Sequence, residues 1–131
     1  MGPMRVLLDT HALLWWLFDD PQLSNPAREV IKSIDTQVFA SSASAWEIAT
    51  KHRLGKLPEA QEASRNLPAL LRAARIDALP ITMEHAIVAG SLASPHRDPF
   101  DRMLIAQAMI EEMAIITSDS EFAQFDVKII W

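Results

Sequence analysis

Four acids stand far apart in the chain, each beside a run of apolar residues: Asp9, Glu47, Asp101 and Asp119. Asp9 ends the stretch Arg5-Val6-Leu7-Leu8, whose apolar character predicts a buried strand that delivers a carboxylate to a sheet edge. In a parallel α/β sheet, ligands bind in the crevice beyond the carboxyl ends of the strands. Glu47 falls between Trp46 and Ile48, early in the helix after a second strand. Asp101 lies in the first turn of a helix opened by Asp98 and Pro99, and Asp119 lies just past a fourth strand. In such a topology the four converge on one edge. Carboxylates gathered in this way repel, and they persist only where protons or metal ions neutralise them. Hard oxygen donors select magnesium or manganese. Ions held there lower the pKa of an attacking water and stabilise charge on a phosphodiester during in-line displacement, which is the chemistry of two-metal nucleases.

Taken singly, each acid also has a structural explanation. Asp9 can cap the helix that follows it. Ser44-x-x-Glu47 and Ser118-x-x-Glu121 both fit the capping-box pattern, and Glu47 stands four residues before Lys51. Asp98 and Asp101 occupy the positions of an N-cap and of the third helical residue, where the helix dipole favours anions. The joint placement carries the functional reading, because capping requires no convergence. His11, beside Asp9, is expected to be structural or interfacial, since an imidazole suits oxygen-preferring ions poorly. The candidates for touching phosphate are Lys51, Arg53, His96, Arg97 and Arg102, with Arg102 equally able to pair with a site carboxylate.

The elements that must position these residues alternate along the chain. After the strand over 5–9, a helix over 11–18 is apolar on nearly every side. Asn25 as a cap and Pro26 in the first turn open a helix to about 33. A strand over 37–41 precedes a helix that Ser42 or Ser44 opens and Gly55 ends. Residues 58–66 are the most polar part of the chain and read as a surface loop or weak helix, with a short helix over 68–74. A strand over 78–81, a helix over 83–92 capped by Thr82, a turn-rich segment over 94–99 and a helix over 100–112 follow. Strands over 114–117 and 127–130 enclose a short helix. Without hairpin signals, this alternation predicts an α/β sandwich around a mostly parallel sheet.

Composition sets the bounds. The 131 residues suit one domain over 4–131, and Met1-Gly2-Pro3 read as additions ahead of a natural start at Met4. Half the residues are hydrophobic and 22% are charged, which is ordinary globular composition. No apolar run approaches the ~20 residues of a membrane helix, and no signal peptide is recognisable. With no cysteine there is neither a disulfide framework nor a thiolate metal site, which fits a cytoplasmic protein. A net charge of −5 excludes a broad basic surface for gripping nucleic acid, so a bound divalent cation would have to supply positive charge. Trp15 and Trp16, on the apolar helix over 11–18, offer more hydrophobic surface than one small domain hides, which predicts a homodimer.

Four stretches together carry a family resemblance. They are Leu8-Asp9-Thr10-His11-Ala12-Leu13-Leu14-Trp15; Trp46-Glu47-Ile48-Ala49 with Lys51 and Gly55-Lys56-Leu57; His96-Arg97-Asp98-Pro99-Phe100-Asp101-Arg102-Met103-Leu104-Ile105-Ala106-Gln107-Ala108; and Thr117-Ser118-Asp119. They closely resemble PIN-domain ribonucleases and, more narrowly, the VapC-type toxins of bacterial toxin-antitoxin pairs. The resemblance runs in order from Met4 to Trp131. It implies a PIN-like α/β fold with a mostly parallel five-stranded sheet, order 3-2-1-4-5, flanked by helices. It also implies RNA cleavage that depends on Mg²⁺, with Mn²⁺ able to substitute, together with homodimers and a cognate antitoxin that plugs the acidic site. By position, Asp9, Glu47, Asp101 and Asp119 match the family's catalytic, metal-binding acids, Asp98 is an adjacent accessory, and Thr117 matches a small hydroxyl residue near the last acid. Residues 58–66 match no pattern of the family. Two alternatives stand beside this reading. An aspartyl phosphoryl-transfer protein would need either D-x-D, where position 11 is His, or an acidic pair before its strand and a late lysine. A catalytically silent PIN-fold binding module would not need four intact acids.

Overall fold

β1 (Met4–Leu8) lies between two other strands, which accounts for its continuous apolar run: Val6, Leu7 and Leu8 are all buried. The computed structural model describes residues 4–131, and the three leading residues read as additions lie outside it. On one side β1 pairs with β2 (Thr36–Ser41), which pairs in turn with β3 (Asp77–Leu79). On the other side it pairs with β4 (Ala114–Ile116), and β5 (Ile129–Ile130) closes that edge. The order is β3-β2-β1-β4-β5 and every pairing is parallel, as the resemblance implied.

Parallel neighbours require crossovers, and helices supply them. α1 (Thr10–Leu17) and α2 (Asn25–Lys32) link β1 to β2, and α3 (Ser42–Arg53) and α4 (Ala60–Ala73) link β2 to β3. α5 (Met83–Ser91) and α6 (Pro99–Glu111) link β3 to β4, and a 3-10 turn (Ser120–Gln124) precedes β5. Alternation along β1 divides the core into two layers. Val6 and Leu8 pack with Leu13, Ile48 and Ala63, whereas Leu7 packs with Leu104, Ile105 and Phe122 on the opposite face. Burying one such leucine contributes roughly 1.5–3 kcal/mol.

Several local expectations are corrected. Ser24 rather than Asn25 caps α2, its hydroxyl accepting from the Ala27 amide at 3.2 Å. α3 is capped by Ser41, whose Oγ accepts from the Ala43 amide at 2.9 Å. Ser44 is therefore an interior helical residue, and no capping box joins it to Glu47. Its Oγ instead accepts from the Thr10 hydroxyl at 2.9 Å. Gly55 ends α3 with φ of 69°, a conformation that costs glycine little. Of the segment over 58–66, read as a surface loop or weak helix, residues 60–66 form the first part of α4, joined across a kink to the helix expected over 68–74. Ala60, Ala63 and Leu67 form a thin buried stripe, two of its three members too small to stand out against the surrounding polar residues. The helix kinks at Asn66, two residues before Pro68, whose ring has no N–H to continue the ladder.

Trp15 and Trp16 are half-buried against the core, the Trp15 ring lying 5.8 Å from Trp131. Apolar side chains are exposed elsewhere, among them Ile34 (95%), Trp46 on α3 (61%), and Met83 and Ile87 on α5 (83% and 66%). Among the described residues no helix is long and apolar enough to cross a membrane.

Candidate active site

Two adjacent strands end at the acidic edge. Asp9 follows β1 and Thr117 follows β4, and the Asp9 amide extends the ladder by donating to the Ile116 carbonyl at 3.0 Å. The strand order reverses between these two strands, which is where open α/β sheets form a crevice. Asp9 is buried and caps α1, with Oδ1 accepting from the Ala12 amide at 2.8 Å. Its Oδ2 accepts from the Thr117 hydroxyl at 2.6 Å, and the Thr117 Oγ1 accepts from the Asp119 amide at 3.0 Å. Thr117 thereby ties the first acid to the segment carrying the last. Burial pushes the Asp9 carboxyl above its ordinary pKa, and Glu47 adds to the rise; the bonds from Thr117 and Ala12 and the nearby His11 oppose it.

Glu47 lies one turn beyond the start of α3 and is buried, its carboxylate 3.3 Å from Lys51 Nζ. The neighbouring Trp46 meets Phe100 edge-on, ring centroids 4.8 Å apart, and this contact pins α3 against the start of α6. Asp101 follows Phe100 and so comes within electrostatic reach of Glu47. Its carboxyl is pushed up to about 6, first by burial and then by Asp98 and Glu47, against a hydrogen bond from His96 Nε2 at 3.0 Å. Asp98 is exposed and caps α6, its Oδ1 accepting from the amides of Phe100 at 2.9 Å and Asp101 at 3.1 Å. Asp119 caps the 3-10 turn by accepting from the Glu121 amide at 2.9 Å, the role the sequence offered equally to Ser118.

The structure thus gathers Asp9, Glu47 and Asp101 electrostatically and joins Asp119 to Asp9 through Thr117. Each carboxylate is turned toward a donor of the protein. Among the described residues no three His, Asp or Glu side chains surround a point that one metal ion could share. A three-acid cage is not required, because magnesium keeps several waters and is usually held by one or two carboxylates. The donor chemistry fits a hard divalent cation: clustered oxygen donors of one sign, two of them with raised pKa.

The basic candidates divide. Arg102 donates to four backbone carbonyls, those of Ala89 (3.0 Å), Leu92 (2.7 Å), Ser94 (3.2 Å) and His96 (2.8 Å), which occupies four of its five N–H groups. It clasps the turn between α5 and α6 and, among the described residues, pairs with no carboxylate. His96 faces Asp101 with one nitrogen and Glu121 with the other, at 3.0 and 3.3 Å. Lys51 is held by Glu47, whereas Arg53 and Arg97 are exposed. His11 is exposed, its ring 5.7 Å from Trp15. Glu121 was visible in the sequence only as a capping residue. Its contact with His96 spans 25 positions and leaves no local signal.

The chain belongs to the PIN-domain family, whose profile matches residues 6–128. Within that class it is similar to ribonuclease VapC16 of Mycobacterium tuberculosis, 36% identical over 70 residues, which are 53% of this chain and 48% of that protein. The match spans about half the length of this curated relative. The fold is shared with VapBC2 of Rickettsia felis, a structure bound to a fragment of promoter DNA (TM-score 0.69, 15% identity, 96% and 97% of the two chains). It is shared also with Mycobacterium tuberculosis VapC20, described as a sarcin-ricin loop cleaving toxin (TM-score 0.65, 14% identity, 91% and 93%).

Proposed function

We propose that this protein is a metal-dependent endoribonuclease, the toxin of a toxin-antitoxin pair, cleaving RNA with Mg²⁺ and with Mn²⁺ as a substitute. The observation that carries this reading is the cluster of Asp9, Glu47 and Asp101 at the carboxyl edge of the sheet, beside its switch point, with two of the three held at raised pKa. Such a cluster is unfavourable by itself and is relieved by a cation. Asp9 and Asp101 would hold the metal, with Glu47 and Asp119 alongside. A bound ion would supply charge stabilisation at the scissile phosphate and lower the pKa of the attacking water. Thr117 fixes the Asp9 carboxylate by donating to it, and Asp98 fixes the start of the helix that bears Asp101. Exposed Arg53 and Arg97 attract the RNA backbone. The kinship with a protein named as a ribonuclease supports the activity.

The partners follow from the same surfaces. An acidic crevice attracts positive charge, so the antitoxin places a basic side chain among the acids. The similarity to a VapBC complex supports a partner of that kind. A second copy covers the exposed Trp46 and the hollow of about 230 Å³ that it lines with Ile81, Gly90, Phe100 and Met103. Met83 and Ile87 project from α5, the helix whose Gly90 lines the same hollow. Projecting side chains and a hollow on one surface suit the self-complementary contact of a two-fold dimer. The substrate places the protein in the cytoplasm, in keeping with its lack of cysteine.

The test is incubation of purified protein with a total RNA pool, with and without Mn²⁺, followed by mapping of the ends. Chelator abolishes cleavage, added Mg²⁺ or Mn²⁺ restores it, and products carry 5′-phosphate and 3′-hydroxyl groups, because attack by water spares the 2′-hydroxyl. Cyclic-phosphate ends, or full activity in chelator, refute the mechanism. One observation favours the silent-module reading: every site carboxylate already has a donor within the protein. A melting temperature unmoved by millimolar Mn²⁺, together with intact RNA, would establish that alternative.

A further inference from the structure

His96 sits at the junction of three segments. Its own carbonyl is gripped by Arg102 at 2.8 Å, and the same guanidinium holds the carbonyls of Leu92 and Ser94, so the turn that carries the ring is fixed to α6. The ring is mostly buried, with Phe122 and Phe125 meeting it edge-on at centroid distances of 6.4 and 6.3 Å. Its plane and position are therefore set by packing. With the ring so held, its two nitrogens face two carboxylates: Nε2 lies 3.0 Å from Asp101 Oδ2, and Nδ1 lies 3.3 Å from Glu121 Oε2. The exposed Glu121 arrives from the 3-10 turn after β4.

From this geometry we infer that His96 is a positioning residue, not a phosphate contact: it donates from Nε2 to the Asp101 carboxylate, and Glu121 orients the ring from its other side. The inference rests on the reading of Asp101 as a metal ligand and deepens it. A carboxylate in the first turn of a helix rotates freely about its side-chain torsions. A donor on a packed ring restricts it to one orientation, which leaves Oδ1 for the metal. Hydrogen-bond partners of metal-binding groups act in this manner, and their loss weakens metal affinity or activity by roughly 10- to 100-fold.

The experiment measures Mn²⁺ binding by calorimetry without RNA, alongside kcat and the Mn²⁺ concentration for half-maximal cleavage, in wild type, Asp101→Asn, His96→Leu, His96→Gln and His96→Asn. Glutamine places its amide nitrogen where Nε2 stands, and asparagine places its own where Nδ1 stands. Asp101→Asn should lose binding. His96→Leu and His96→Asn should weaken it by roughly tenfold or more, whereas His96→Gln should stay within about threefold of wild type. A residue that served only to fill space would show loss tracking melting temperature, with no advantage of Gln over Asn, and that pattern overturns the proposal. If His96→Leu fails to fold, the Gln and Asn pair decides alone: equal affinities, or tighter binding by Asn, overturn it. Wild-type affinity in Asp101→Asn removes the metal assignment, and the positioning role falls with it. Loss in Asp101→Asn with wild-type affinity in both His96→Leu and His96→Asn removes the positioning role only.

Discussion

Asp101 is the residue at which stability and the proposed chemistry oppose each other. Its carboxyl ordinarily titrates near 3.8 but is pushed up to about 6 in the folded chain, mainly by burial. Between those values the folded state binds more protons than the unfolded state, so stability falls as pH rises through that window and stays reduced above it. Asp9, also raised, acts in the same direction. We expect Asp101→Asn, which can still accept from His96, to melt higher than wild type at pH 7.5 without metal, with the gap closing toward pH 4. A melting series across pH checks this, and a wild-type protein more stable at pH 7.5 would contradict it. The same rise makes protons compete with metal. Calorimetric Mn²⁺ affinity should therefore drop as pH falls from 7 to 5, and a pH-independent affinity would count against Asp101 as a ligand.

The helices show why neighbouring acids have different tasks. Asp98 precedes α6 and satisfies two of its orphan amides, at 2.9 and 3.1 Å, whereas Asp101 lies inside the first turn and receives its bond from outside the helix. Asp98→Ala should cost about 0.5–2 kcal/mol of stability and retain measurable cleavage. Thermal melts and the RNA assay on this variant and on Asp101→Asn separate the two roles; a dead but fully stable Asp98→Ala would reverse them. α6 was legible because Pro99 and a broad apolar face announce it. The first half of α4 was legible only as a loop or weak helix, because its buried stripe consists of Ala60, Ala63 and Leu67 within a polar sequence and Pro68 interrupts it. Short apolar residues give a weak periodic signal, and packing against the sheet supplies the stability that local propensity lacks.

For the whole molecule, the prediction concerns the face of α3 and α5. Met83 and Ile87 project from α5, and Trp46 projects beside the acids. A charge introduced there must be desolvated in any interface that covers it. Ile87→Glu should therefore convert the proposed dimer to a monomer at micromolar concentration while leaving the fold intact, as read by light scattering and circular dichroism. Trp15→Ala, on the helix that the sequence favoured as the interface, should instead destabilise the monomer, since Trp15 packs on Trp131 and the core. A monomeric wild type would remove the dimer from the proposal.

The sequence by itself determined the parallel sheet and the family, and it singled out the four acids as candidates, because each is written locally: apolar runs bounded by helices, acids at a strand end or near a helix start, and a long motif around Asp98 and Asp101. The tertiary structure decided what those residues touch. Ser44 looked like a cap for Glu47 and is instead a partner of Thr10, 34 positions away. Thr117 reaches Asp9 across 108 positions, and Arg102, a candidate for phosphate, is committed to the backbone of the preceding turn. Trp15 and Trp16 looked like surplus hydrophobic surface until Trp131 returned to cover one of them. Helix starts and strand runs follow from neighbours in the chain, whereas the partner of a long polar or aromatic side chain is fixed only when distant segments pack. A residue type and its spacing therefore announce that a group can act, and only the folded contacts determine whether it is free to do so.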